Sequence, residues 1–147
     1  MTIRVSSGLR ASLLSDYGLT AMMNYGVIEV YSGTQPESAS FAPTGTLLGY
    51  VTNNGDAFQP NTTVGGLKLQ LSGTGSLTFD GVWRLKGVDS GEAGWWRWKW
   101  NAVDDDGDST FYPRMDGAVN ESLVLADPTI TPATDVVITD FNVNFTE

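Results

Sequence analysis

The sequence predicts a mainly β protein: an antiparallel β-sandwich, jelly-roll-like, with one or two short N-terminal helices. Three observations predict it. Apolar and β-branched runs of strand length recur at spacings of about 8–15 residues, with turns rich in Gly, Asn and Asp between them. Within those runs the side chains alternate in character, as in a strand with one buried face. Helical spacing is confined to residues 7–24. The chain has 147 residues. A domain of that size buries roughly 68–70% of its unfolded surface, so a single domain over 1–147 needs no staples.

The elements follow in order. Ser6 or Ser7 is placed to cap a helix, because a hydroxyl accepts from the free N–H groups of a first turn. Leu9 and Leu13 stand four apart and share a face. Gly18 interrupts the pattern, which predicts two short helices with a break around Asp16 to Gly18. Met22 and Met23 suit irregular apolar gaps, and Gly26 suits a left-handed helix end.

From Val27 to Tyr31 a β-branched and aromatic run predicts the first strand. The polar stretch from Ser32 to Gly45, with Pro36 and Pro43, is expected to lie on the surface. Thr46 to Thr52 is the next strand, followed by the turn signal Asn53-Asn54-Gly55-Asp56. Strands are expected again at Leu67 to Leu71, Ser76 to Phe79 and Val82 to Val88, the last setting Trp83 and Leu85 against Val82, Arg84 and Lys86.

Gly94 to Asn101 is the most informative stretch. Trp96, Trp98 and Trp100 project from one face of a strand, and Trp95, Arg97 and Lys99 from the other. The first row is expected in the core, with each indole N–H bonded. Trp95, beside Arg97 on the wetter face, is open to three roles: core, subunit interface or a cation–π contact. The acidic turn Asp104 to Asp108 is expected to be a solvated hairpin turn. Its carboxylates also resemble a cation site, but the glutamate that closes a calcium loop is missing. A closing strand is predicted with Val137, Phe141, Val143 and Phe145 on one face.

Composition excludes several kinds of chemistry. The chain has no Cys and no His. Thiolate metal sites, cysteine nucleophiles, Ser-His-Asp triads, His-metal hydrolases and His-linked pH switches are therefore ruled out. Carboxylate-pair chemistry survives in principle, but no spacing singles out two carboxylates, and Gly73-Thr74-Gly75 opens no helix that would cradle phosphate. No catalytic residue, cofactor site or metal site is assigned. The formal net charge of −9, from 8 basic and 17 acidic residues, disfavours nucleic acid as a partner. Lys68, Arg84, Lys86, Arg97 and Lys99 concentrate the positive charge in one central stretch, expected to form a solvated face. No apolar run reaches the length of a membrane span, and the start lacks the apolar stretch of a secretory signal. No membrane partner is expected.

Several segments, in order, resemble a family of small bacteriophage virion-associated structural proteins. They are Ser7-Gly8-Leu9-Arg10, Gly26-Val27-Ile28-Glu29-Val30-Tyr31-Ser32-Gly33-Thr34-Gln35-Pro36, Ala39, and Pro43-Thr44-Gly45-Thr46-Leu47-Leu48. Gly91-Glu92-Ala93-Gly94-Trp95-Trp96-Arg97 and Arg114-Met115-Asp116-Gly117 continue the pattern. This chain has Trp96 where that pattern carries Phe, and it adds Trp98 and Trp100.

The resemblance implies a non-enzymatic virion protein made in a bacterial host cytoplasm. The leading expectation is a head decoration, or cement, protein: a homo-oligomer that binds the major capsid protein. A neck, tail or fibre-associated subunit, contacting portal or tail proteins, is the alternative within the particle. A carbohydrate-binding module using surface Trp is the alternative of another class. Interface candidates are Leu13, Leu14, Met22 and Met23 of the N-terminal segment, with Trp95 and Arg97.

Overall fold

A computed structural model describes residues 3–9, 18–72 and 76–144. The expected β-sandwich is present, formed by two antiparallel sheets. The strands are β1 (Arg4–Val5), β2 (Val27–Ser32), β3 (Leu47–Asn53), β4 (Lys68–Ser72), β5 (Ser76–Asp80) and β6 (Trp83–Gly87). Then come β7 (Gly91–Lys99), β8 (Arg114–Ala118), β9 (Leu123–Val124), β10 (Thr129–Ile130), β11 (Asp135–Val137) and β12 (Asp140–Asn144). The large sheet runs β1-β8-β7-β2-β3-β6-β11, with β10 added alongside β7; the small sheet runs β4-β5-β12-β9.

Within the predicted helical segment two described stretches are helical. Ser7 to Leu9 are helical, and α1 spans Leu19–Met23. Ser6 is the cap, its hydroxyl accepting from the Leu9 N–H at 3.1 Å. Gly18, the last residue of the predicted break, is extended and precedes α1. Leu13, Leu14 and Asp16 lie outside the described residues. The left-handed position after α1 belongs to Tyr25 (φ 65) and not to Gly26. Gly26 is needed for another reason: a Cβ there would stand 2.1 Å from the Lys99 carbonyl oxygen. Among the described residues no helix is long and apolar enough to cross a membrane.

The core lies between the sheets. Phe141 sits among Trp83, Trp96 and Trp98, with ring centroids 5.1, 5.2 and 5.5 Å away. Edge-to-face packing of such rings adds to their area burial. The Trp83 and Trp96 N–H groups donate to the carbonyls of Asp80 and Ala118. Trp98 is fully buried, but its N–H finds no acceptor among the described residues. Trp100 is only half-buried at the rim of the core, its ring against Phe111, because the strand has already ended at Lys99.

Two expectations about the chain path are corrected. Val137 does not share a strand with Phe141 and Val143. Val137 is in β11, paired with β6 in the large sheet, whereas Phe141 and Val143 are in β12, between β5 and β9 in the small one. Buried Ile138 turns the chain between the sheets, its N–H donating to the Trp83 carbonyl at 2.8 Å, and Val137 is left 45% exposed. Phe145 lies outside the described residues. The stretch from Ser32 to Gly45 is not simply a surface loop either: Gln35, Pro36, Ala39 and Ser40 are buried against the outer face of the large sheet.

Candidate functional site

Strand pairing brings distant charged residues into one line on the outer face of the large sheet. Arg4 faces Asp116, Asp116 faces Arg97, and Arg97 faces Glu29. Glu29 faces Tyr50, Tyr50 faces Lys86, and Lys86 faces Asp135. The charges alternate in sign across the sheet, interrupted only by Tyr50. Directly opposed unlike charges stabilise a sheet pair, so this row favours one register over its neighbours.

Loops cover part of this row and dry it. Arg97 is 0% exposed; its Nε and Nη2 each donate to Asp116 at 2.8 Å, and Nη1 donates to the Phe41 carbonyl at 2.9 Å. Trp95 is equally buried, stacked on Tyr31 with centroids 4.6 Å apart, and its N–H donates to the Thr44 carbonyl. The Arg97 guanidinium lies 5.5 Å from the Trp95 ring, the cation–π arrangement that the sequence left open. As interface candidates both are corrected: the 32–45 segment closes over them, so neither offers surface to a partner. Met23 is also fully buried in the core and Met22 is half-buried against it. The sugar-stacking role for Trp95 falls with its burial.

The acidic turn is not a solvated hairpin turn. Asp104 is buried and takes both Nε and Nη2 of Arg114, while Asp106 accepts from Lys99 Nζ at 3.2 Å. Asp105 accepts from the Gly107 N–H, and Asp108 accepts from the Ala42 N–H at 2.7 Å. The four carboxylates point at four different partners and do not converge. No group of acidic residues suited to a metal ion occurs among the described residues. Burial would raise the Asp104 carboxyl, but the Arg114 guanidinium and the Asp106 N–H hold it below the ordinary value.

The central basic stretch is likewise absorbed by ion pairs. Arg84 and Lys86 reach Asp135, both at 2.7 Å, and Lys68 reaches Asp80 at 3.6 Å. Lys99 stands 3.0 Å from Glu29. The expected solvated basic face is therefore half buried and internally neutralised.

Beside the covered region the outer face opens into a cleft of about 560 Å³. Its floor is Glu29, Lys99 and Thr52; segment 55–60 and segment 102–106 form its walls. Glu29 is 2% exposed, and burial pushes its carboxyl up to about 7 against the opposing pull of Lys99. Burial also raises the Tyr31 and Tyr50 hydroxyls, with Glu29 adding to the effect. Sequence reasoning missed this cluster. Lys99 and Asp106 are seven residues apart, but Glu29 comes from a distant strand, and no local signal joins it to them.

Chemically the cluster is a charge clamp. The Lys99 ammonium contacts both Glu29 and Asp106, so the space that a carboxylate pair needs for a sugar or a water is occupied by the chain's own cation. Outward from the platform, Phe41, Val103 and Phe111 stand on the covering loops, 49%, 67% and 72% exposed. The loops that carry them are tied together, since the Ser109 N–H donates to the Ser40 carbonyl at 2.7 Å. Comparison with protein-family models, curated proteins and solved structures gives no match.

Proposed function

We propose that this protein is a structural subunit of a bacteriophage particle, a head decoration protein that binds and stabilises the capsid shell. The observation that carries the reading is the outer face of the large sheet. Beneath the covering loops its charged groups are consumed in internal pairs, and the braced loops above them hold Phe41, Val103 and Phe111 in water. Apolar side chains on a stiff support are the anchors that a protein interface uses, because little ordering entropy is lost on docking. The resemblance of the Gly26–Pro36 and Gly91–Arg97 segments to virion-associated proteins supports the same reading.

The test is to locate and count the protein in purified particles. Copies on the order of hundreds per particle support the shell assignment, whereas about six or twelve place it on the tail axis as a neck or tail subunit. Absence from mature particles overturns the proposal. Adding back purified protein to particles that lack it checks the surface itself. The double variant Phe41→Ser, Phe111→Ser is expected to lose binding while its unfolding free energy stays within about 0.5 kcal/mol.

A further inference from the structure

The cleft beside the covered face has a composition of its own. Val27, Tyr50, Phe58 and Val103 contribute its apolar lining, beside the acidic groups. Two of its charged residues are matched from elsewhere: Asp104 by Arg114, and Lys86 by Asp135. That leaves Glu29, Asp56 and Asp106 facing the cleft against Lys99, three carboxyl groups to one ammonium. One buried group in the floor lacks a partner: the Thr52 hydroxyl, in a residue 4% exposed, has no hydrogen-bond partner among the described residues, whereas Glu29 is already held by the Lys99 ammonium 3.0 Å from its Oε1. A buried polar atom in that state is costly unless something supplies the missing partner.

We propose that this cleft receives a cationic side chain, lysine or arginine, from an apposed protein surface. Such a side chain has the matching build, an apolar stem ending in donors and a positive charge. Its stem would lie along the apolar lining, and its head would bring a donor to Thr52 and charge to the Asp56 and Asp106 side of the cleft, leaving the Lys99–Glu29 contact in place. An anion is excluded by the same charge count. A partner protein fits better than a free amine because the mouth is rimmed by exposed Val103 and Tyr50. A small amine would leave that rim wet, whereas a docked surface covers it. The inference rests on the assembly reading only for the source of the side chain.

The experiment titrates the folded full chain with two short capped peptides, one containing a single lysine among glycines and the other norleucine in its place. Backbone amide NMR shifts at Val27, Gly55, Ala102 and Val103 report on the cleft. Saturable shifts are expected with the lysine peptide and none with norleucine. Free n-butylammonium is expected to bind at least about tenfold more weakly than the lysine peptide. Thr52→Val removes the unpartnered hydroxyl and is expected to weaken lysine binding at least about tenfold. Because Thr52 is buried, Asp56→Lys provides a second variant at an exposed position, and it is expected to weaken binding by repulsion at the mouth. Equal binding of norleucine, shifts elsewhere on the surface, or no saturable shift with the lysine peptide overturns the proposal. None of these outcomes bears on whether the protein is in the particle, so the two failures are distinguishable.

Discussion

Across the inner face of the large sheet, Val5, Met115, Trp98, Ile28, Val51, Leu85 and Val136 stand opposite one another strand by strand. One residue along each strand, the outer face carries Arg4, Asp116, Arg97, Glu29, Tyr50, Lys86 and Asp135. The inner row is held by burial, which has no direction and tolerates exchange of one apolar shape for another. The outer row is held by pairing, which has direction and fails when either partner is lost. A slip of one residue would drive every outer charge into the core, so the two rows together fix the register far more sharply than either alone.

The largest effect is expected where the inner row meets the small sheet. Phe141→Ala opens a cavity between three indoles and is expected to cost about 3–5 kcal/mol by denaturant unfolding. A loss under about 1 kcal/mol would mean that the sheets do not meet there.

The buried part of the outer row comes next. Asp116→Leu strands the Arg97 guanidinium without a counter-charge and is expected to cost about 3–5 kcal/mol. The double variant Arg97→Met, Asp116→Leu is expected to recover wild-type stability or exceed it, because two desolvated charges leave together. If the double variant is as damaged as the single, the pair stabilises the fold directly and the contrast between the faces disappears.

The pH dependence is smaller and has a definite sign. The Glu29 carboxyl rises from its ordinary 4.5 to about 7 in the folded chain. Folded protein therefore holds a proton that the unfolded chain has released. Glu29's contribution to stability falls as pH rises from 4.5 through about 7. Glu29→Gln is expected to flatten that decline in thermal melts from pH 5 to 8. The smallest effect is expected at the exposed end of the same row, where Lys86→Ala should leave the melting temperature unchanged within error.

How far the sequence reveals this arrangement depends on range. Alternation within one strand is visible in the chain itself, so the separation of Trp96 and Trp98 from Arg97 and Lys99 is readable, as is the turn at Asn54-Gly55, where both residues have positive φ. Partnership between strands is not readable, because Glu29 meets Lys99, and Arg97 meets Asp116, only once the sheet has formed. Strand β8 escapes notice for this reason: Arg114 and Asp116 look like surface residues until their partners bury them. Val137 and Phe141 share parity in the sequence, and nothing local betrays that the chain changes sheet at Ile138. The covering role of Gln35 to Ser40 is hidden in the same way, since a polar loop and a polar lid have the same composition.

The position of β12 has a consequence for how the folded chain comes into being. Residues 140–144 lie between β5 and β9, in the interior of the small sheet, and carry the ring that three indoles enclose. During synthesis these residues emerge after both of their neighbouring strands. A ribosome-bound chain stopped before them has a small sheet in two halves and an unfilled core. Translation must therefore pass this segment before a closed sandwich can exist, and a chain ended before it lacks the strand and the ring that join the two halves.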